Sequence, residues 1–384
     1  MKVRRAAELW FSCHDGRTLD IGELLSGRLA TAPQTRVYAI SPATGAEQRI
    51  SRDELDVLLA LPDDWSDSDA HAPPELVRGL VERGLLIADG DEALDDRLSA
   101  SGWERHAAVY HFMTRWRDVD IRDGAGDVAP ATEEHVRAFL ELNGPPPPAF
   151  RSVDASARVV VLPEVRAEGD LYSVLARRRT TRGFDESRPL PLEDLALVLH
   201  QVFGVHGHAT VAEGVWETLR RTSPSAGGLH PIEAWPLVRN VADVEAGVHR
   251  YDAGRHALEL VEPLDPGAAK ELAARFVCGQ TYFATAHVLL VLVARFARTF
   301  WKYREHPKAY ASTLLDAGHL SQTLYLVAAD RGLGAFVTTV VNNAEIDERL
   351  GLDGVDEGTV AVCGLGVPGG RTPFDPEFRP FTRG

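Results

Sequence analysis

Apolar residues recur along this chain in two periods, and each period predicts an element. Arg36 to Ile40 alternates in the manner of a strand, Gly45 marks a turn, and Glu47 to Ile50 completes a hairpin. Ser51 and Glu54 stand three apart as a capping box. Leu55, Leu58 and Leu59 then follow at helical spacing until Pro62 stops the helix. A second helix begins near Pro73 and Pro74, with Leu76, Val77, Leu80 and Val81 on one face. Gly84 ends it, and Leu85 to Ile87 reads as a strand. Hairpin, helix, helix and strand predict a small winged-helix-like unit within residues 1–130. Its pattern fits a peptide-recognition module and a structural or dimerisation module equally well.

The segment Trp103 to Trp116 is rich in aromatic residues and histidines. Trp103, His106 and Tyr110 are expected near one helical face, as packing for the following domain in the main reading and as a substrate-facing wall in the other. Two histidines five residues apart with no third partner do not predict a metal. Gly144 and the four prolines Pro145 to Pro148 form a stiff linker within residues 131–150, so a second domain is expected over 151–384. In it, Leu171, Val174 and Leu175 give one helix an apolar face. Ala234 to Val238 and Gly247 to Asp252 read as strands. Ala284 to Phe296 is the most apolar stretch; it is too short to span a bilayer and reads as a buried strand. Leu320, Leu324 and Ala328 mark a long buried helix closed by Gly332 and Gly334, and Thr359 to Pro368 is a last buried strand broken by Gly364 and Gly366. That Gly-Leu-Gly ends a strand rather than opening a helix, so it is not a dinucleotide fingerprint.

Composition narrows the chemistry. A length of 384 residues favours two domains. The formal net charge of -15 argues against nucleic acid as a partner. Three dispersed cysteines show neither a disulfide framework nor zinc spacing, and the charged start of the chain is no signal peptide. No membrane association is expected, and a reducing cytoplasm fits.

Three stretches carry candidate chemistry. Arg177, Arg178, Arg179 and Arg182 crowd into six residues beside the Thr180 and Thr181 hydroxyls; such a cluster repels itself unless an anion is near, and guanidinium groups cradle phosphate well. In Pro224, Ser225, Ala226, Gly227 and Gly228 the glycines let the backbone approach a planar ligand. Ser225 can bond a ring atom, and the Ala226 and Gly227 amides are candidate donors. Lys302 and Tyr303 form the third. A buried lysine has a lowered pKa and can serve as a base, with a neighbouring tyrosine relaying the proton. A surface lysine beside an interface aromatic is the plainer reading. Asp316 is expected to cap the long helix or hold Arg304, and His319 to be structural rather than catalytic.

Across about residues 165 to 370 these stretches resemble the nitroreductase superfamily. Arg178, Thr180 and Arg182 match its Arg-x-Ser/Thr-x-Arg pattern, and RTSPSAGGLHPIEAW and the Lys-Tyr and Leu-Leu-Asp-x-Gly-His run are similar to SagB-type dehydrogenases. The resemblance implies an α+β fold, an antiparallel central sheet flanked by helices. It implies FMN held by Arg178, Thr180, Arg182, Pro224, Ser225, Ala226, Gly227, Gly228, Gly334 and Arg371 (or Arg379), and a homodimer with its flavins at the interface. It also implies Lys302 and Tyr303 as the proton-abstracting pair, a modified precursor peptide as substrate, and a cyclodehydratase or other peptide-modifying enzymes as partners. The expected reaction is oxidation of an azoline to a thiazole or oxazole. Reduction of dehydroamino acids or of nitro and quinone compounds, and a non-catalytic peptide-binding scaffold, are the alternatives. Val337 to Asn343 departs from the subgroup's pattern and leaves the substrate class most open.

Overall fold

In the computed structural model, the structure describes residues 2–6, 8–19, 31–68, 72–90, 94–123, 168–213 and 216–372. It also describes scattered positions between 134 and 163 and residues 375, 376 and 378. Arg379 lies outside the described residues, as does most of the segment 124–167, but Gly144 to Pro148 of the expected linker are described and carry neither helix nor strand.

The N-terminal part is built on strands β1 (Lys2–Arg5), β2 (Trp10–Leu19), β3 (Thr31–Ile40), β4 (Gln48–Ile50), β5 (Ser66–Asp67) and β6 (Leu86–Ala88). They form two three-stranded sheets, ordered β5-β1-β6 and β2-β3-β4. Helix α1 (Arg52–Ala60) starts at the expected capping box, with Ser51 accepting from the Glu54 amide and Glu54 accepting in return. Helix α2 (Pro74–Glu82) buries Val77 and Leu80. Val3, Ala39, Ile50, Leu58, Leu80 and Leu86 close a small core of their own. Strand β2 was not evident from the sequence pattern, because Ser12, His14 and Asp15 interrupt its apolar positions; it pairs with β3 along its whole length.

Helices α3 (Leu94–Ser101) and α4 (Arg105–Met113) belong physically to the larger core. Leu98, Trp103, Ala108 and Phe112 are buried there. Trp103 precedes α4 and is 5% exposed, packed on Phe296 and Phe300 with its Nε1–H donated to the Val355 carbonyl at 3.0 Å. The expectation that Trp103, His106 and Tyr110 share a face does not hold, since His106 and Tyr110 are exposed while Ala108, Val109, His111 and Phe112 face inward. Burial and the nearby Arg115 charge push the His111 pKa down to about 3, so the neutral ring bonds Tyr310 and the Gly354 carbonyl.

The larger part holds α5 (Asp170–Arg177), α6 (Leu192–Phe203), β7 (Gly207–Ala212), β8 (Trp216–Arg220), β9 (Ile232–Val238), β10 (Gly247–Asp252) and β11 (Ala257–Pro263). Then follow α7 (Pro266–Phe276), β12 (Val288–Arg295), α8 (Phe296–Lys302), α9 (Ala309–Asp330), β13 (Gly334–Thr338), α10 (Asn343–Leu350) and β14 (Glu357–Gly366). Six strands make an antiparallel sheet ordered β11-β10-β9-β12-β14-β13. Side chains of β12 alternate between faces. Leu290, Leu292 and Ala294 join α6 and α9 on one side, while Leu289, Val291 and Val293 join α7 and α10 on the other. Coverage of both faces is why the strand reads as an unbroken apolar run. Val337 to Asn343 leaves β13 for α10, and the buried Asn342 and Asn343 side chains bond backbone carbonyls there.

Cys278 and Cys363 are buried, and burial pushes both thiols up to about 12, whereas Cys13 on β2 is exposed. Among the described residues no helix is long and apolar enough to cross a membrane.

Candidate functional site

Helix α5 ends as Arg178 turns to an extended backbone. The chain then runs beside β13, where Thr180 bridges Ala335 in parallel and the Thr181 amide donates to the Ala335 carbonyl at 2.8 Å. The other wall comes from the segment after β14, with the Gly369 amide donating to the Gly183 carbonyl. Between them lies a cleft of about 900 Å³ lined by Arg177, Arg178, Arg179, Thr180, Arg182 and Arg371. Its inner wall is α9: the Arg178 guanidinium lies 5.2 Å from the centre of the Tyr325 ring, and the Thr180 and Tyr325 hydroxyls are 3.1 Å apart. Arg182 comes within 3.8 Å of Asp375. The close approach at Gly334 is internal, since a Cβ there would sit 2.6 Å from Thr181 Cγ2.

The glycine turn sits at the other end of α9. Gly227 and Gly228 take left-handed φ values of 62° and 66°. Ser225 Oγ donates to Asp316 Oδ2 and accepts from the His230 amide at 2.9 Å, and the Ala226 amide donates to Asp316 Oδ1 at 3.3 Å. The His319 ring bonds the Pro224 carbonyl at 3.3 Å. The Ser225 hydroxyl and the Ala226 amide, expected as ring contacts, are therefore engaged within the chain. Asp316 neither caps α9 nor holds Arg304; it is 4% exposed inside the helix, and Arg304 bonds the Ala100 carbonyl instead. Burial raises the Asp316 pKa, opposed by its two turn bonds and by the His319 charge.

Lys302 and Tyr303 end α8 over this turn. Lys302 Nζ donates to the Gly227 carbonyl at 3.3 Å, and a Cβ built on Gly227 would lie 2.5 Å from Tyr303 Oη and 2.7 Å from Lys302 Nζ. Lys302 is exposed, as in the plainer reading and unlike a buried base, while Tyr303 is half-buried against the core. The pair thus frames a position that any side chain at 227 would fill. Asp316 at the glycine turn and Tyr325 at the arginine cleft are nine residues apart, which on a helix is a rise of about 13 Å. Neither Tyr325 nor the Asp316 contact was foreseen: Tyr325 follows the buried Leu324 and carries no motif. The Asp316 and His319 pairing could have been found from their i, i+3 spacing on one helical face.

The chain is similar to known proteins. MJ1384 of Methanocaldococcus jannaschii, which bears a nitroreductase name, is 34% identical over 191 residues, 50% of this chain and 88% of that protein. The trifolitoxin-processing protein TfxB of Rhizobium leguminosarum bv. trifolii is 28% identical over 172 residues, 44% of this chain and 46% of TfxB. A chain of the E. coli microcin synthetase McbBCD complex, solved with truncated pro-MccB17 bound, shares the fold at a TM-score of 0.52. That alignment is 18% identical and covers 73% of this chain and all of that one. Residues 175–367 match the nitroreductase family over half of the sequence, and the chain belongs to that family of oxidoreductases.

Proposed function

We propose that this protein is an FMN-dependent, SagB-type dehydrogenase that oxidises azoline rings in a modified precursor peptide. The observation carrying the reading is the convergence of Lys302 and Tyr303 on the side-chain-free position of Gly227. Peptide processing named for TfxB and the peptide-bound microcin synthetase support the substrate class.

The cofactor reading rests on fit. Nitroreductase-family proteins typically bind FMN, and a cleft of about 900 Å³ edged by arginines suits its phosphate and ribityl chain. Arg178, Thr180, Arg182 and Arg371 would hold that end, with Gly334 keeping the strand close behind Thr180 and Thr181. Pro224 to Gly228 would face the ring system through backbone alone. When bound, FMN supplies a two-electron hydride acceptor. Lys302 with Tyr303 takes the ring Cα proton, the Cβ hydrogen leaves as hydride, and the new double bond completes the aromatic ring. Molecular oxygen is the terminal acceptor. The glycine turn holds the Lys302 amine at the Gly227 carbonyl, and the half-buried Tyr303 shields one side from water. Apolar Leu171, Tyr172 and Leu175 are exposed along α5, as a homodimer interface requires. The N-terminal sheets would hold the peptide's leader and raise the local concentration of its core, beside a cyclodehydratase that makes the azoline.

The visible spectrum of the purified protein tests the cofactor, and incubation with a synthetic thiazoline peptide tests the substrate. FMN release and a mass loss of two hydrogens are expected. A flavoprotein that spares the peptide and reduces nitro compounds or quinones is the reading the MJ1384 match favours. A colourless protein that takes up no FMN is a scaffold. Within the arginine cleft, Arg182→Ala should weaken FMN binding by about 1.5–3 kcal/mol, roughly tenfold to 150-fold in Kd. Titration of flavin fluorescence checks it, and unchanged affinity removes Arg182 from the phosphate site.

A further inference from the structure

One face of α9, buried at Asp316 and half-buried at His319 and Thr323, grips the glycine turn at three successive places. Asp316 takes Ser225 and Ala226, His319 takes Pro224, and Thr323 Oγ1 lies 2.6 Å from Ser223 Oγ. Positions 316, 319 and 323 share one side of a helix. Of these contacts only that of Asp316 places an ionisable group in the interior, at a desolvation cost that a neutral residue would avoid. Its two oxygens each accept one hydrogen bond from the turn. The next residue, Gly227, presents its carbonyl to Lys302 Nζ. A continuous path therefore runs from Asp316 through Ser225 and Ala226 to the Gly227 carbonyl and the lysine.

We propose that Asp316 is a positioning residue that sets the place of Lys302 by clamping the turn beneath it. The proposal deepens the dehydrogenase reading and rests on it only for the consequence in catalysis. The carboxylate accepts from both turn groups at once. An amide has one acceptor oxygen, so its NH2 would force the Ser225 hydroxyl from donor to acceptor, where it already takes the His230 amide. Asp316→Asn therefore reverses one of the two bonds and loosens the turn with almost no change in volume.

The chain has four lysines, Lys2, Lys270, Lys302 and Lys308, so acetylation by an N-hydroxysuccinimide ester can be followed at each by mass spectrometry. In folded Asp316→Asn, Lys302 should acetylate at least threefold faster relative to Lys270 than in the wild type. With a thiazoline peptide, kcat should fall at least tenfold while KM stays within threefold. A residue with a merely structural role would change thermal stability and leave both readouts in place. Unchanged Lys302 labelling in the folded variant overturns the proposal. Faster labelling with unchanged kcat supports the clamp and removes Lys302 from the reaction, which is a failure of the dehydrogenase reading instead. Should Asp316→Asn not fold, Ser225→Ala removes one of the same two bonds and is read by the same labelling ratio.

Discussion

Lys302→Ala is expected to give a yellow protein that no longer turns over. Truncation removes the amine above Gly227, and loss of a general base costs about a hundredfold to ten-thousandfold in rate. The side chain is exposed at the end of α8, so stability should change by less than about 0.5 kcal/mol. The arginine cleft lies at the far end of α9, nine residues beyond Asp316, so FMN content should be preserved. Single-turnover reduction of the bound flavin by a thiazoline peptide, set beside the absorption spectrum, separates the two effects. A variant that loses its flavin while the remainder stays active would place Lys302 in binding rather than in proton transfer.

The largest effect on stability belongs to Trp103→Ala. The indole is buried between α3, α4, α8 and α9, in ring contact with His111, Phe296, Phe300 and Tyr310. Removing it should cost about 3–5 kcal/mol for the lost surface and the cavity. A further 0.5–1.5 kcal/mol or so goes with the bond to the Val355 carbonyl. Domains are typically stable by about 5–15 kcal/mol, so much of the margin would go. The midpoint of denaturant unfolding measures it, and a loss under about 1 kcal/mol would show that the cavity collapses. The same packing bears on where the N-terminal module ends. A chain cut at residue 130 would strip Trp103 and Phe112 from the larger core, whereas a cut near residue 90 leaves them in place.

Much of this arrangement was legible because it is local. The capping box, the proline stops, the apolar run of β12 and the arginine cluster at the end of α5 are each written within a dozen residues. The glycine turn and the Leu-Leu-Asp-x-Gly-His run were visible as separate motifs, yet nothing in their composition said that one grips the other, because 91 positions separate Ser225 from Asp316. Burial was the weak point. Asp316 looked like a cap, and for Lys302 an interior base and a surface lysine both stood open, since a polar residue in a helical pattern does not declare which side it faces. Strand β2 escaped because it is polar and exposed, with Ser12, His14 and Asp15 breaking any apolar alternation after Trp10 and Phe11. The insertion of β14 between β12 and β13 is set by long-range pairing, which no local pattern encodes.

The placement of the three cysteines bears on how such a protein would age in use. Reoxidation of a reduced flavin by molecular oxygen yields hydrogen peroxide, which attacks thiolates and spares protonated, enclosed thiols. Cys278 and Cys363 lie inside the half that carries the arginine cleft, and at about 12 their thiols stay protonated at any working pH. Oxidative damage from repeated turnover should therefore gather at Cys13, on a strand of the other half. The same asymmetry makes Cys13 a natural attachment point for a spectroscopic label, one that reports on the N-terminal sheets while leaving the chemistry undisturbed.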